Sequence, residues 1–176
     1  PLVGRDADGE ITPWLASSWT VSEDQLTWDF TLADDVQFTD GTPLDAEAVK
    51  VNIEHLQDPA TQSSTGYLAV QKVASVEAVD ATHVRFTLSA PDSALLESLS
   101  QQWTAMQSPA GIARGMDENC LAPIGTGPFI VDAWTPQQQI TLVRNEEYVP
   151  RGPGVANTGP AHLDAIEWRF IPDAAT

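Results

Sequence analysis

The sequence predicts a mixed α/β fold of the α+β kind, in which hairpins and short helices alternate. Three observations point there. Leu26, Trp28, Phe30 and Leu32 alternate with Thr27, Asp29 and Thr31, the period-two pattern of a half-buried strand. Val49, Ile53 and Leu56 recur at helical spacing behind Asp45, a residue suited to cap a helix start. Two later pairs of strand-like segments are joined by short polar turns, as in hairpins.

The opening Asp6-Ala7-Asp8-Gly9-Glu10 is turn chemistry: Asp accepts local amides and Gly permits positive φ. A calcium loop is excluded because its twelfth position would be Ser17, where a bidentate Glu is required. Trp14 and Trp19 flank a packing segment and are expected in the core, with Trp28. After the strand at 26–32, Val36-Gln37-Phe38 reads as another short strand. The helix spans 46–57 and stops at Asp58-Pro59. A Thr/Ser/Gly-rich loop at 60–66 precedes a short helix at 67–72. Strands at 74–79 and 83–88 form a hairpin about Asp80-Ala81-Thr82. Ser93 is placed to cap a helix reaching Ser100, with Ala94, Leu95 and Leu99 inward. Residues 119–128 read as loop, 129–134 and 139–144 as a second hairpin, 151–159 as an exposed connection, and 163–171 as a last strand.

Composition narrows the function. The 176 residues carry 25 Asp+Glu against 8 Lys+Arg, a net charge of −17, the wrong sign for holding a phosphate backbone. No run approaches the ~18 apolar residues of a membrane span, and the opening residues do not read as a leader. Cys120 stands alone, so no disulfide within the sequence and no thiolate zinc cluster is expected. His55, His83 and His162 share no ligand spacing and read as surface or packing residues. No metal site or cofactor is expected.

Catalytic signatures are thin: the chain has no Gly-x-Ser-x-Gly elbow, phosphate loop or dinucleotide fingerprint. Glu146-Glu147 and Asp34-Asp35 read as solvated pairs. Gly125-Thr126-Gly127-Pro128 reads as a tight turn, because Pro128 removes a donor that a phosphate cradle needs. The six tryptophans are more informative. Tyr67 and Trp103 lie in irregular stretches, where an aromatic either lines a cleft or fills a gap.

Several segments, taken in order, resemble the family 5 extracellular solute-binding proteins that serve ABC importers of oligopeptides, dipeptides and nickel. They are Pro13-Trp14-Leu15-Ala16, Ser18-Trp19, Thr27–Leu32, Val36–Leu44, Pro123-Ile124-Gly125-Thr126-Gly127-Pro128-Phe129, Arg144-Asn145-Glu146-Glu147-Tyr148, and Leu163-Asp164-Ala165-Ile166 with Ile171-Pro172-Asp173. The resemblance implies part of a type II periplasmic-binding-protein-like lobe at 1–30 and 121–176. A smaller inserted α+β domain would occupy 31–120, with the second large lobe absent from this sequence and a leader and strand ahead of it.

It further implies a monomeric, non-enzymatic receptor, periplasmic or a cell-surface lipoprotein. Such a receptor captures a peptide or other small solute in an interlobe cleft and hands it to membrane permease subunits. Tyr67 and Trp103 would stand at the cleft wall, with the Thr-Gly-Pro turn as scaffold beside it. Nickel-binding members carry a basic residue near the position of Trp103, and Trp cannot anchor an anionic chelate as Arg does. Peptide therefore leads, and a nickel chelate or other small solute is the alternative. Cys120 would either pair with a cysteine outside this sequence or be a free buried thiol.

Overall fold

A computed structural model of the chain describes residues 1–171. Its strands form three antiparallel sheets. In the smallest, β1 (Val3–Arg5) pairs with β2 (Ile11–Pro13) across the expected turn, where the Asp6 carboxylate accepts the amides of Asp8 and Glu10 at 3.0 and 2.9 Å.

The four-stranded sheet holds β3 (Ala16–Val21), β4 (Thr27–Leu32), β5 (Val73–Ala78) and β6 (His83–Leu88) in the order β3-β4-β6-β5. The alternation in β4 does what it promised: Trp28, Phe30 and Leu32 are buried, and β6 matches them with Val84, Phe86 and Leu88. Trp28 lies opposite Phe86 and Phe30 opposite Val84, and the Phe30 and Phe86 rings meet at 5.2 Å between centroids. Burying each such side chain stabilises the fold by about 1.5–3 kcal/mol. On the outer face, Arg85 bonds the opposed Asp29 at 2.7 Å.

Helix α1 (Ala46–Gln57) packs on β5 and β6, with Val49 and Ile53 completely buried. The Asp45 carboxylate caps it, accepting the Ala48 amide at 2.8 Å. Asp58, held extended ahead of Pro59, ends it. Short helices follow: α2 (Thr65–Val70), α3 (Leu95–Leu99), α4 (Pro109–Ala113) and α5 (Met116–Leu121), with a 3₁₀ turn at Gln102–Thr104.

The third sheet, β7 (Phe129–Thr135), β8 (Gln139–Arg144) and β9 (Ala165–Arg169), has two unlike faces. Register puts Trp134, Ile140 and Trp168 in one row, with Val131, Leu142 and Ile166 in the next row on the same face. The opposite face carries Thr141 and Glu167, the latter paired to Arg169 at 2.6 Å.

Several expectations are corrected. Residues 36–38 are not a strand, because the turn at Asp40-Gly41 returns the chain at once and leaves a single bridge between Gln37 and Pro43. Ser93 does not cap α3. Asp92 accepts the Ala94 amide instead, and Ala94 is exposed. The stretch from Asn119 begins inside α5, not in loop. Trp14 and Trp19 are half-buried at the core's edge, with only Trp28 inside. Cys120 is exposed on α5 in this chain. β4 itself runs unbroken through residues 30 and 31, bonded to β3 on one side and to β6 on the other. Pro172 and Asp173, with the segment expected to start there, lie outside the described residues.

Candidate functional site

A cavity of about 590 Å³ opens where the 3₁₀ turn at Gln102–Thr104, the extended segment after it, α4, α5 and the 123–129 loop converge. Its apolar lining includes Trp103, Met106, Met116, Ile124 and Phe129, and its polar lining includes the amides of Gln107 and Asn119. That size suits a small solute, since such pockets run to roughly 300–1,000 Å³.

The wall is pinned from behind. Thr104, wholly buried, donates its hydroxyl to the carbonyls of Ser98 and Gln101 at 3.0 and 2.9 Å, which fixes the turn presenting Trp103. Asn52, buried on α1, donates to the Gln107 carbonyl at 2.7 Å and accepts the Gln107 amide at 2.8 Å. The Gln107 side-chain oxygen in turn accepts from Asn119 at 2.6 Å. A residue on the central helix thereby sets a residue on the cavity wall.

The 123–129 loop is held through its carbonyls. Ile124 accepts the Ser108 amide at 2.9 Å, Gly125 the Thr39 amide at 2.9 Å, Gly127 the Asn145 side chain at 2.9 Å and Pro128 the Asn145 amide at 3.0 Å. Gly125 and Gly127 keep ordinary negative φ, so the loop bends without the left-handed residues of a tight glycine turn. Ser108 also donates to Asp40 at 2.5 Å, and Thr42 donates to the same carboxylate at 2.6 Å. Burial alone would push Asp40 up, but these bonds together bring its carboxyl below the ordinary range. On the loop's other side, Thr126 borders a second cavity of about 380 Å³ with Trp14, Tyr148 and Arg151. Burial raises the Tyr148 phenol there.

Of the two aromatics singled out in the sequence, Trp103 lines the 590 Å³ cavity and is 44% exposed. Tyr67 is 45% exposed on α2 and is not among that cavity's lining residues. The two segments nevertheless adjoin. A Cβ added at Gly66 would stand 2.6 Å from the Ser63 hydroxyl, 2.7 Å from Leu56 and 3.3 Å from the Trp103 carbonyl, so a side chain here would make those neighbours give way. Leu68 and Trp103 share a shallow groove beside the cavity. Sequence reasoning missed Met106, Gln107, Met116 and Asn119, which come from separate short elements, and only the fold assembles them. Among the described residues, no group of three or more His, Cys, Asp or Glu could hold a metal ion, and no helix is long and apolar enough to cross a membrane.

Over residues 10–176 the chain matches the sequence profile of the bacterial extracellular solute-binding proteins, family 5 Middle, and it belongs to that family. It is 37% identical over 175 residues to the glutathione-binding protein GsiB of Escherichia coli O6:K15:H31, covering 99% of this chain and 33% of that protein. Among solved structures it resembles NikZ from Campylobacter jejuni in complex with Ni(L-His), with TM-score 0.84 and 28% identity over 99% of this chain and 34% of that one. It also resembles DppA from Helicobacter pylori in complex with the peptide STSA, with TM-score 0.80 and 26% identity over 99% of this chain and 37% of that one. The mixed α/β fold is thus that of type II periplasmic binding proteins. The chain spans about a third of the length of these relatives.

Proposed function

We propose that this chain is the wall-bearing part of a solute-binding receptor for an ABC importer. In this reading the receptor captures an oligopeptide or dipeptide and presents it to membrane permease subunits from outside the cytoplasm, as a periplasmic protein or a cell-surface lipoprotein. It works as a monomer and does not transform its cargo. The observation that carries the reading is the 590 Å³ cavity faced by Trp103 in a chain of a solute-binding family.

Trp103 and the neighbouring Tyr67 supply flat apolar area at the cleft mouth, and the pinned 123–129 loop is its rigid frame. The four-stranded sheet with α1–α3 forms the smaller inserted unit, its edges falling outside β4. The β1–β2 and β7–β9 sheets belong to the first lobe, and the second lobe is supplied by chain beyond this sequence. Ligand touches both lobes only when they close, so it shifts the receptor toward the closed form that a permease reads. Peptide leads over nickel chelate because no Arg or Lys lines this cavity among the described residues.

The test is mass spectrometry of whatever co-purifies with the full-length protein, followed by calorimetry with that compound. A peptide bound stoichiometrically and recovered unchanged supports the reading. Recovery of a chemically altered product overturns it.

A further inference from the structure

The cavity stands out from the rest of the chain by its lack of charge. Charged residues make up 19% of the sequence, and the net charge is −17. Yet among the described residues no Asp, Glu, Lys or Arg lines the cavity, and its titratable side chains are His55 and Cys120. Arg114, just after α4, is not a lining residue and is held by the Ala122 carbonyl at 2.6 Å and by the Asn119 side-chain oxygen at 3.4 Å. Asp117 and Glu118, on the helix that contributes Met116, Asn119 and Cys120, are exposed and are not lining residues. The amides that do line it are partly committed, since Asn119 donates to Gln107.

We infer that this wall selects for an uncharged, largely apolar group of the ligand and disfavours any ligand that would place a carboxylate or ammonium against it. The inference rests on the solute-receptor reading and specifies which part of the solute this wall takes. A charge desolvated here on closure would meet Trp103, Met106, Met116 and Ile124 with no Asp, Glu, Lys or Arg to pair it, and lost hydration is not recovered without a partner. The charged ends of a peptide are therefore met by the rest of the receptor.

The test uses the full-length protein and tri-alanine in which Leu, Asp or Lys is substituted at one position at a time. At the position facing this wall, Leu should bind at least ten-fold tighter than Asp or Lys. In Met116→Lys, a change at a side chain 58% exposed and so compatible with folding, the Asp penalty at that position should shrink at least five-fold while the Lys penalty grows. A position intolerant of charge but unmoved by Met116→Lys, or a set in which no position is intolerant, overturns the inference and leaves the receptor reading standing. Failure of every tripeptide, and of the corresponding alanine dipeptides, to bind overturns the peptide reading and the inference with it.

Discussion

The Asn52 side chain and the Gln107 backbone meet as two strands would, with one bond in each direction at 2.7 and 2.8 Å. Asn52 also bonds the Ala48 carbonyl of its own helix at 2.8 Å, so its amide nitrogen is fully used. Helix α1 and the cavity wall are clipped together by this one residue. Asn52→Leu leaves two backbone groups of Gln107 without partners and is expected to cost about 2–3 kcal/mol. Urea denaturation measures it, and a loss below about 0.5 kcal/mol would mean that the clip contributes little.

The cap of α1 gives a second, smaller effect. Asp45→Ala removes the acceptor for the Ala48 amide and is expected to cost about 1 kcal/mol, whereas Asp45→Ser should restore most of it. Thermal unfolding of the two variants side by side checks this, and equal melting points would contradict it.

Asp40 ties the 40–43 turn to Ser108, and its lowered carboxyl makes that tie pH-dependent. A carboxyl depressed in the folded state contributes stability that is complete above its unfolded value of about 3.9 and is lost as pH falls through the native value. The stability gap between the wild type and Asp40→Asn should therefore be constant from pH 7 to 5 and close below pH 4. Denaturation midpoints across that range decide it. A gap that widens on acidification would contradict the assignment.

The apolar face of the β7–β9 sheet predicts how the 176-residue chain behaves alone. Trp168 is 63% exposed there, in a row with Trp134 and Ile140. Such a face, left uncovered, promotes association. The 176-residue chain should bind the dye ANS and self-associate, and Trp168→Thr should weaken both. Glu167→Gln, on the opposite face, should weaken neither. Equal effects from the two would show that the face is not the cause.

Much of the fold was legible wherever a segment carries its own pattern. The helix at 46–57, the strands at 27–32 and 83–88, and the β7–β8 hairpin each declare a period and a boundary residue. Legibility failed where structure depends on distant partners. Helix α5, Met-Asp-Glu-Asn-Cys-Leu, shows no apolar stripe and is held at Asn119 by Gln107. Val36 and Phe38 alternate like a strand, but the chain reverses before a ladder can form, so their side chains are buried without one. Of the cavity lining, the Pro123–Phe129 loop was legible through the family resemblance, and Trp103 as a tryptophan in an irregular stretch. The methionines and amides beside it look ordinary until the loop at 123–129 closes over them.

The central claim, that Trp103 stands on the wall of a trap for cargo, is tested most directly by calorimetry with the compound that co-purifies with the full-length protein. Trp103→Ala, at a half-exposed side chain, should weaken binding by about 1–3 kcal/mol, beyond any change in the melting point of the empty protein. The 176-residue chain, offering one wall in place of two, should bind the same compound far more weakly than the full-length protein. Unchanged affinity in Trp103→Ala, or full affinity in the 176-residue chain, would contradict the account.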